Sequence, residues 1–199
     1  MNPRKLLIAS LSLGFALAGA GQALAVEQVS KDTAQQTVDV GGTVANLCIL
    51  GTPSQTSINV GQMVDTSTTN VGRITTIGNQ TVSLPGSFCN FAGTHLTVTA
   101  DALLAQDTST VQPGFSRAVN FTSTVTTWAN TPPVVTTAAT LNGGTPTASG
   151  FGGDQGAPKL TDLTLTLSQF HTGGGDNLLL VAGGYTGSVT ITLGPSAAE

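Results

Sequence analysis

The chain has 199 residues, of which only 6 are Lys or Arg against 10 Asp or Glu, for a net charge of −4. So few cations exclude the clustered basic patches that nucleic acids and anionic membrane surfaces require. Hydrophobic residues make up 39% of the chain and glycine contributes 25 residues; with abundant Thr, hardly any Glu and few strong helix formers outside the first segment, this is the composition of β-structure.

In chain order, residues 1–25 read as an export signal. Arg4 and Lys5 form a positive start, Leu6 to about Ala20 an apolar run, and Ala23-Leu24-Ala25 a small-x-small cleavage pattern. The apolar run falls short of the roughly 20 residues that span a bilayer, and no later stretch is as long. Cleavage leaves a mature chain of about 174 residues, the size of one domain with its own core. In it four cations, Lys31, Arg73, Arg117 and Lys159, face ten acidic residues. Export also places the only two cysteines, Cys48 and Cys89, in an oxidising compartment, where a single pair is most simply a disulfide.

Residues 26–41 read as an N-terminal extension and 42–195 as a β domain. Val38, Val40 and then Val44 alternate as if they began the first core strand. Alternation recurs at Leu96, Val98 and Ala100, at Leu163, Leu165 and Leu167, and at Val189, Ile191 and Leu193. Val119, Phe121 and Val125 give a weaker version. Period-two runs bury one face and wet the other, as in antiparallel sheets. Gly41-Gly42, Gly78-Asn79, Pro85-Gly86, Pro113-Gly114, Asn142-Gly143-Gly144 and Gly173-Gly174-Gly175 read as turns. The chemistry of Asp101 to Gln106 permits at most one helical turn. The segment 131–158, rich in Pro, Gly and Thr and poor in alternation, reads as a surface excursion between core strands.

Catalytic groups are scarce. There is no Gly-x-Ser-x-Gly nucleophile elbow, and Glu27 and Glu199 sit at the ends of the mature chain, leaving only loop aspartates for paired-carboxylate chemistry. His95 and His171 lack the third and fourth partners that zinc needs. Gly152-Gly153-Asp154 and the glycines before Asp176 offer one acid each, too few for calcium. Trp128 is assigned to core or sheet-edge packing. The sequence therefore predicts no catalytic residue, no metal site and no cofactor.

Thr43 to Cys48, the short stretch Ile58-Asn59-Val60-Gly61, and Cys89 some 40 positions after the first cysteine resemble the front half of chaperone–usher fimbrial subunits. The segment from Ala182 to Leu193, with Tyr185 in a Gly-x-Tyr turn entering a Thr/Val-alternating last strand, is similar to the closing hairpin of spore coat protein U-like secreted pilin domains. The resemblance implies an all-β, immunoglobulin-like antiparallel β-sandwich that lacks its final strand or supplies it from its own chain. It implies a Cys48–Cys89 bond between the first two strands, and partners that are other copies or related subunits, with a periplasmic chaperone and usher. The expected role is a structural subunit of a fimbria or pilus-like surface fibre, acting in adhesion or biofilm, with residues 26–37 as the candidate donor strand. The alternative is a self-complete secreted coat or glycan-binding module that reads its ligand through 131–158. The expected location is the periplasm in transit, then the cell surface.

Overall fold

The computed structural model describes residue 33 and residues 35–195. The export signal, the candidate plug residues Val26, Val29 and Ala34, and the tail after Pro195 lie outside the described residues. The chain divides into two units, 1–43 and 44–199, and all ten strands among the described residues belong to the second. They are β1 (Cys48–Ile49), β2 (Gln80–Cys89), β3 (Thr94–Ala105), β4 (Phe115–Ser116), β5 (Ala118–Thr126), β6 (Val134–Thr136), β7 (Thr147–Phe151), β8 (Lys159–Thr172), β9 (Leu179–Leu180) and β10 (Tyr185–Pro195). The described residues contain no helix.

Eight strands join one antiparallel sheet in the order β1-β2-β8-β5-β3-β10, with β6 added to β5 and β7 to β3, while β4 and β9 form a small parallel pair. The sheet curls until β1 approaches β10, so it is nearly closed into a barrel-like shape. Alternation dictates what fills it. Leu96, Val98 and Ala100 of β3, Leu163 and Leu165 of β8, Val82 and Leu84 of β2, and Phe121 and Val125 of β5 turn inward to one core. Trp128 closes one end of that core, fully buried, its indole N–H donating to the Thr94 carbonyl at 3.3 Å. The aromatic body is thereby buried without stranding its polar edge.

Asp101 to Ala105 lie within β3 and form no helical turn, the pairing of β3 with β5, β7 and β10 prevailing over local preference. Two expectations are revised. Pro85-Gly86 is not a turn between strands. It is a bulge inside β2, where the register to β8 shifts between Leu84 and Ser87. Proline has no N–H to leave unpaired there, Gly86 adopts φ +68°, and its N–H is taken by the Asp162 carboxylate at 2.8 Å. Finally, the segment 131–158 is no bare excursion. It carries β6 and β7, and Ala139 is buried with both of its backbone polar groups bonded to the buried Asn120 side chain, at 2.7 and 3.0 Å.

Cys48 and Cys89 are bonded to each other, and they face one another in the β1–β2 register. The bond closes a loop with a sequence separation of 41, which in the chain-entropy account stabilises the fold by about 4 kcal/mol. Beyond the two residue pairs of β1, little regular pairing secures that loop. Reduction, or Cys48→Ser with Cys89→Ser, is expected to lower the melting temperature by roughly 8–16 °C for a domain of this size, as read by thermal denaturation followed by circular dichroism with and without reductant.

Candidate strand-acceptor groove

The alternation in β10 has a different fate from that in β3 and β8. Val189, Ile191 and Leu193 point at the core and pack against it, yet each stays only half-buried. The reason lies in the order of strands. One edge of β10 pairs with β3 from Tyr185↔Ala105 to Pro195↔Thr94, and its other edge has no strand beside it among the described residues. On the far side of the opening, the chain leaving β1 follows the edge of β2 only as far as Gln55. Ser54 N–H donates to the Ser83 carbonyl at 2.7 Å, Ser83 N–H returns to the Ser54 hydroxyl at 3.0 Å, and Gln55 Nε2 reaches the Thr81 carbonyl at 3.3 Å. Gly51 makes this close approach possible, since a Cβ there would stand 2.0 Å from the Pro85 carbonyl oxygen.

Between these walls runs a groove of about 650 Å³. Ile58 and Val60 form one side and the stretch Tyr185 to Ile191 the other, over a floor that includes Leu84, Phe121, Leu165 and Phe170. No charged side chain lines it. Phe121 and Phe170 meet there with ring centroids 5.8 Å apart. The groove thus offers two things at once: a row of apolar side chains without a roof, and a run of strand backbone without a partner. An extended segment satisfies both, because its backbone bonds to the edge while every second side chain drops into the floor.

Two local devices hold the β10 wall in place. At its start, burial pushes the Tyr185 hydroxyl above its usual acidity range, and that hydroxyl donates to the Val181 carbonyl at 2.8 Å, closing the turn that feeds the strand. One step on, the register with β3 shifts between Thr186 and Ser188, and a Cβ on Gly187 would stand 2.6 Å from the Asp101 carbonyl oxygen. The Asp101 carboxylate then accepts from the Ser188 hydroxyl at 2.6 Å and from the Thr147 hydroxyl at 2.5 Å, tying β3, β7 and β10 together. Those hydrogen bonds, Ser188 first, hold the Asp101 carboxyl below its ordinary value of 3.8.

The other sequence-stated positions lie elsewhere. His95 sits 3.4 Å from the Asp154 carboxylate, its ring tilted against that of Phe151 with centroids 6.1 Å apart, and His171 Nδ1 contacts the Gln169 carbonyl oxygen. Among the described residues no three His, Cys, Asp or Glu side chains converge on a point that could hold a metal. A smaller cleft of mixed lining brings Asp107 near Arg117 beside Phe115, but the Arg117 guanidinium is already engaged by the Ala105 carbonyl at 3.0 Å. Among the described residues there is no helix long and apolar enough to cross a membrane.

The N-terminal alternation is also placed differently from expectation. Val38, Val40 and Val44 form no strand and are 82%, 93% and 86% exposed. The first core strand starts only at Cys48, and the strand-like pattern before it belongs to no strand among the described residues. The groove itself had little sequence signal: Ile58 and Val60 are too few to show a period, and Phe121 and Phe170 belong to strands paired on both sides. Comparison with family models, with characterised proteins and with solved structures gives no match.

The Asp101 junction yields a pH dependence. A carboxyl held below its unfolded value adds stability above about pH 4, and that contribution disappears as pH falls through the folded value. Asp101→Asn is therefore expected to lower the urea midpoint at pH 7 and to leave it unchanged near pH 2, as measured by paired urea titrations of the two proteins.

Proposed function

We propose that this chain is an exported structural subunit of a fimbria or pilus-like surface fibre, an immunoglobulin-like sandwich short of one strand that receives that strand from another copy. The observation that carries the reading is the pairing of an uncharged, unroofed groove along the free edge of β10 with a segment in the same chain suited to fill it. In an extended conformation Val38, Val40, Gly42 and Val44 share one face and Asp39, Gly41 and Thr43 the other. That is an apolar face for the floor and a polar one for solvent. The seven residues span roughly 23 Å, the length of the seven-residue β10 wall from Tyr185 to Ile191. The donor is thus better assigned to Val38–Val44 than to residues 26–37, whose apolar residues are spread over twelve positions and fall out of phase.

Burying three valines contributes on the order of 5 kcal/mol, and each backbone hydrogen bond made to β10 adds about 1 kcal/mol net. Together these offset the cost of ordering the segment. The disulfide fits passage through an oxidising compartment, and an acceptor edge left open favours a chaperone in transit. The groove carries no charged group to orient a sugar acid or a cation, and part of the segment 131–158 is taken up in the strands β6 and β7, which disfavours the glycan-reading alternative.

The test is assembly of the oxidised mature protein, followed by light scattering after size exclusion and by unheated detergent gels. The wild type is expected to form ladders, and Val38→Asp with Val40→Asp to abolish them while leaving the monomer's melting temperature within a degree or two. Each carboxylate placed unpaired in the groove costs several kcal/mol. Monomers of equal stability for both proteins would sink the reading.

A further inference from the structure

The outer face of the sheet near β1 carries apolar residues that the core does not use. Ile49 lies opposite Phe88 and Phe88 opposite Leu160 in the β1–β2 and β2–β8 registers, so the three form a row across three strands on one face. Cys48 and Cys89 turn inward beside them to the core. Leu160 is 71% exposed, Ile49 and Leu47 are 50% exposed, and the Phe88 ring is half-buried. Leu47 extends the row at the point where the N-terminal segment joins the domain.

That point is held rigidly. Asn90 takes the Leu47 N–H on its side-chain oxygen at 2.7 Å, donates its side-chain NH₂ to the Ala45 carbonyl at 2.8 Å, and donates its own N–H to the Leu47 carbonyl at 3.1 Å. Backbone from Ala45 to Leu47 is therefore fixed to β2, and Val44 is the next residue out. If Val44 is the last side chain seated in a neighbour's groove, one residue, about 3.4 Å of chain, separates the neighbour from the Asn90 clamp. No length remains for a flexible linker.

We infer that the row Leu47, Ile49, Phe88 and Leu160 is the surface on which a second copy of this chain abuts when it receives the Val38–Val44 strand, so that successive domains meet through a fixed, dry contact rather than a tether. The inference rests on the strand-addition reading, and the occupant is the copy whose groove that strand fills.

Hydroxyl-radical footprinting of assembled wild-type protein against the monomeric Val38→Asp, Val40→Asp variant tests it, with unheated gels run on the same samples. Ladders with Phe88 and Leu160 oxidised at least three-fold more slowly than in the monomer support the contact. Ladders with unchanged oxidation overturn it and leave strand addition standing, whereas absence of ladders overturns both. A Leu160→Asp variant supplies the second measurement, because a substitution at so exposed a position leaves the monomer folded. Its ladders are expected to persist while the persistence length of its filaments in electron micrographs falls at least two-fold, and filaments as stiff as wild type would refute the contact.

Discussion

Every backbone N–H and C=O in a sheet needs a partner, and the architecture of this protein follows from the long edge of β10, where the described residues supply no neighbouring strand. β10 is an 11-residue strand with a single paired edge. Long, regular edges of this kind are normally shortened, charged or covered, because they template association. β10 has none of these protections: its residues are Tyr, Thr, Ser, Val, Ile, Leu and two glycines, with no Lys and a proline only at its last position, and its one irregularity is the register shift between Thr186 and Ser188. The half-buried state of Val189, Ile191 and Leu193 follows from the same free edge, since no strand among the described residues lies over them.

The rest of the sheet compensates for its shortage of charge with hydroxyl groups. Thr99 bonds Ser149 across β3–β7 at 2.8 Å, Thr122 bonds Thr136 across β5–β6 at 2.8 Å, and Thr122 also reaches Gln169 on β8 at 2.9 Å. These cross-strand pairs do for the outer face what ion pairs do elsewhere, at little desolvation cost and without sensitivity to salt. Asp101 extends the pattern, a carboxylate bonded by two hydroxyls where β10 begins. The poverty of charge evident in the composition is therefore also a property of how the strands are stitched together.

How far the structure was legible in the sequence depended on whether a local period coincided with a paired edge. Leu96-Val98-Ala100 and Leu163-Leu165-Leu167 were readable because both strands are flanked on two sides and bury one face outright. Val38, Val40 and Val44 carry the same period, yet they lie outside the sheet; period two reports a face that needs covering and does not say which chain will cover it. Pro85-Gly86 misled because turns and bulges draw on the same residues. The strands in 131–158 were hidden by small and polar residues whose stability comes from Asn120 and from pairing with β3 and β5. Of the groove, Val189 and Ile191 were legible as strand alternation, Ile58 and Val60 as a short apolar stretch, and Phe121 and Leu165 as core positions, but their convergence was not. The walls and floor come from residues far apart in sequence, brought together by topology.

The bond between Cys48 and Cys89 also has a mechanical meaning. A pull on the chain ahead of Val44 first loads the Asn90 clamp, and four residues further on it reaches a covalent tie to β2. Only about 14 Å of backbone can therefore be drawn out before the force passes into β2, whose far edge is paired to β8 from Gln80 to Cys89. Load entering there shears a long ladder in which many bonds resist together, instead of peeling β1 away one bond at a time. The shortest strand in the sheet is thus anchored by its strongest bond, at the position where traction on the N-terminal segment would enter the domain.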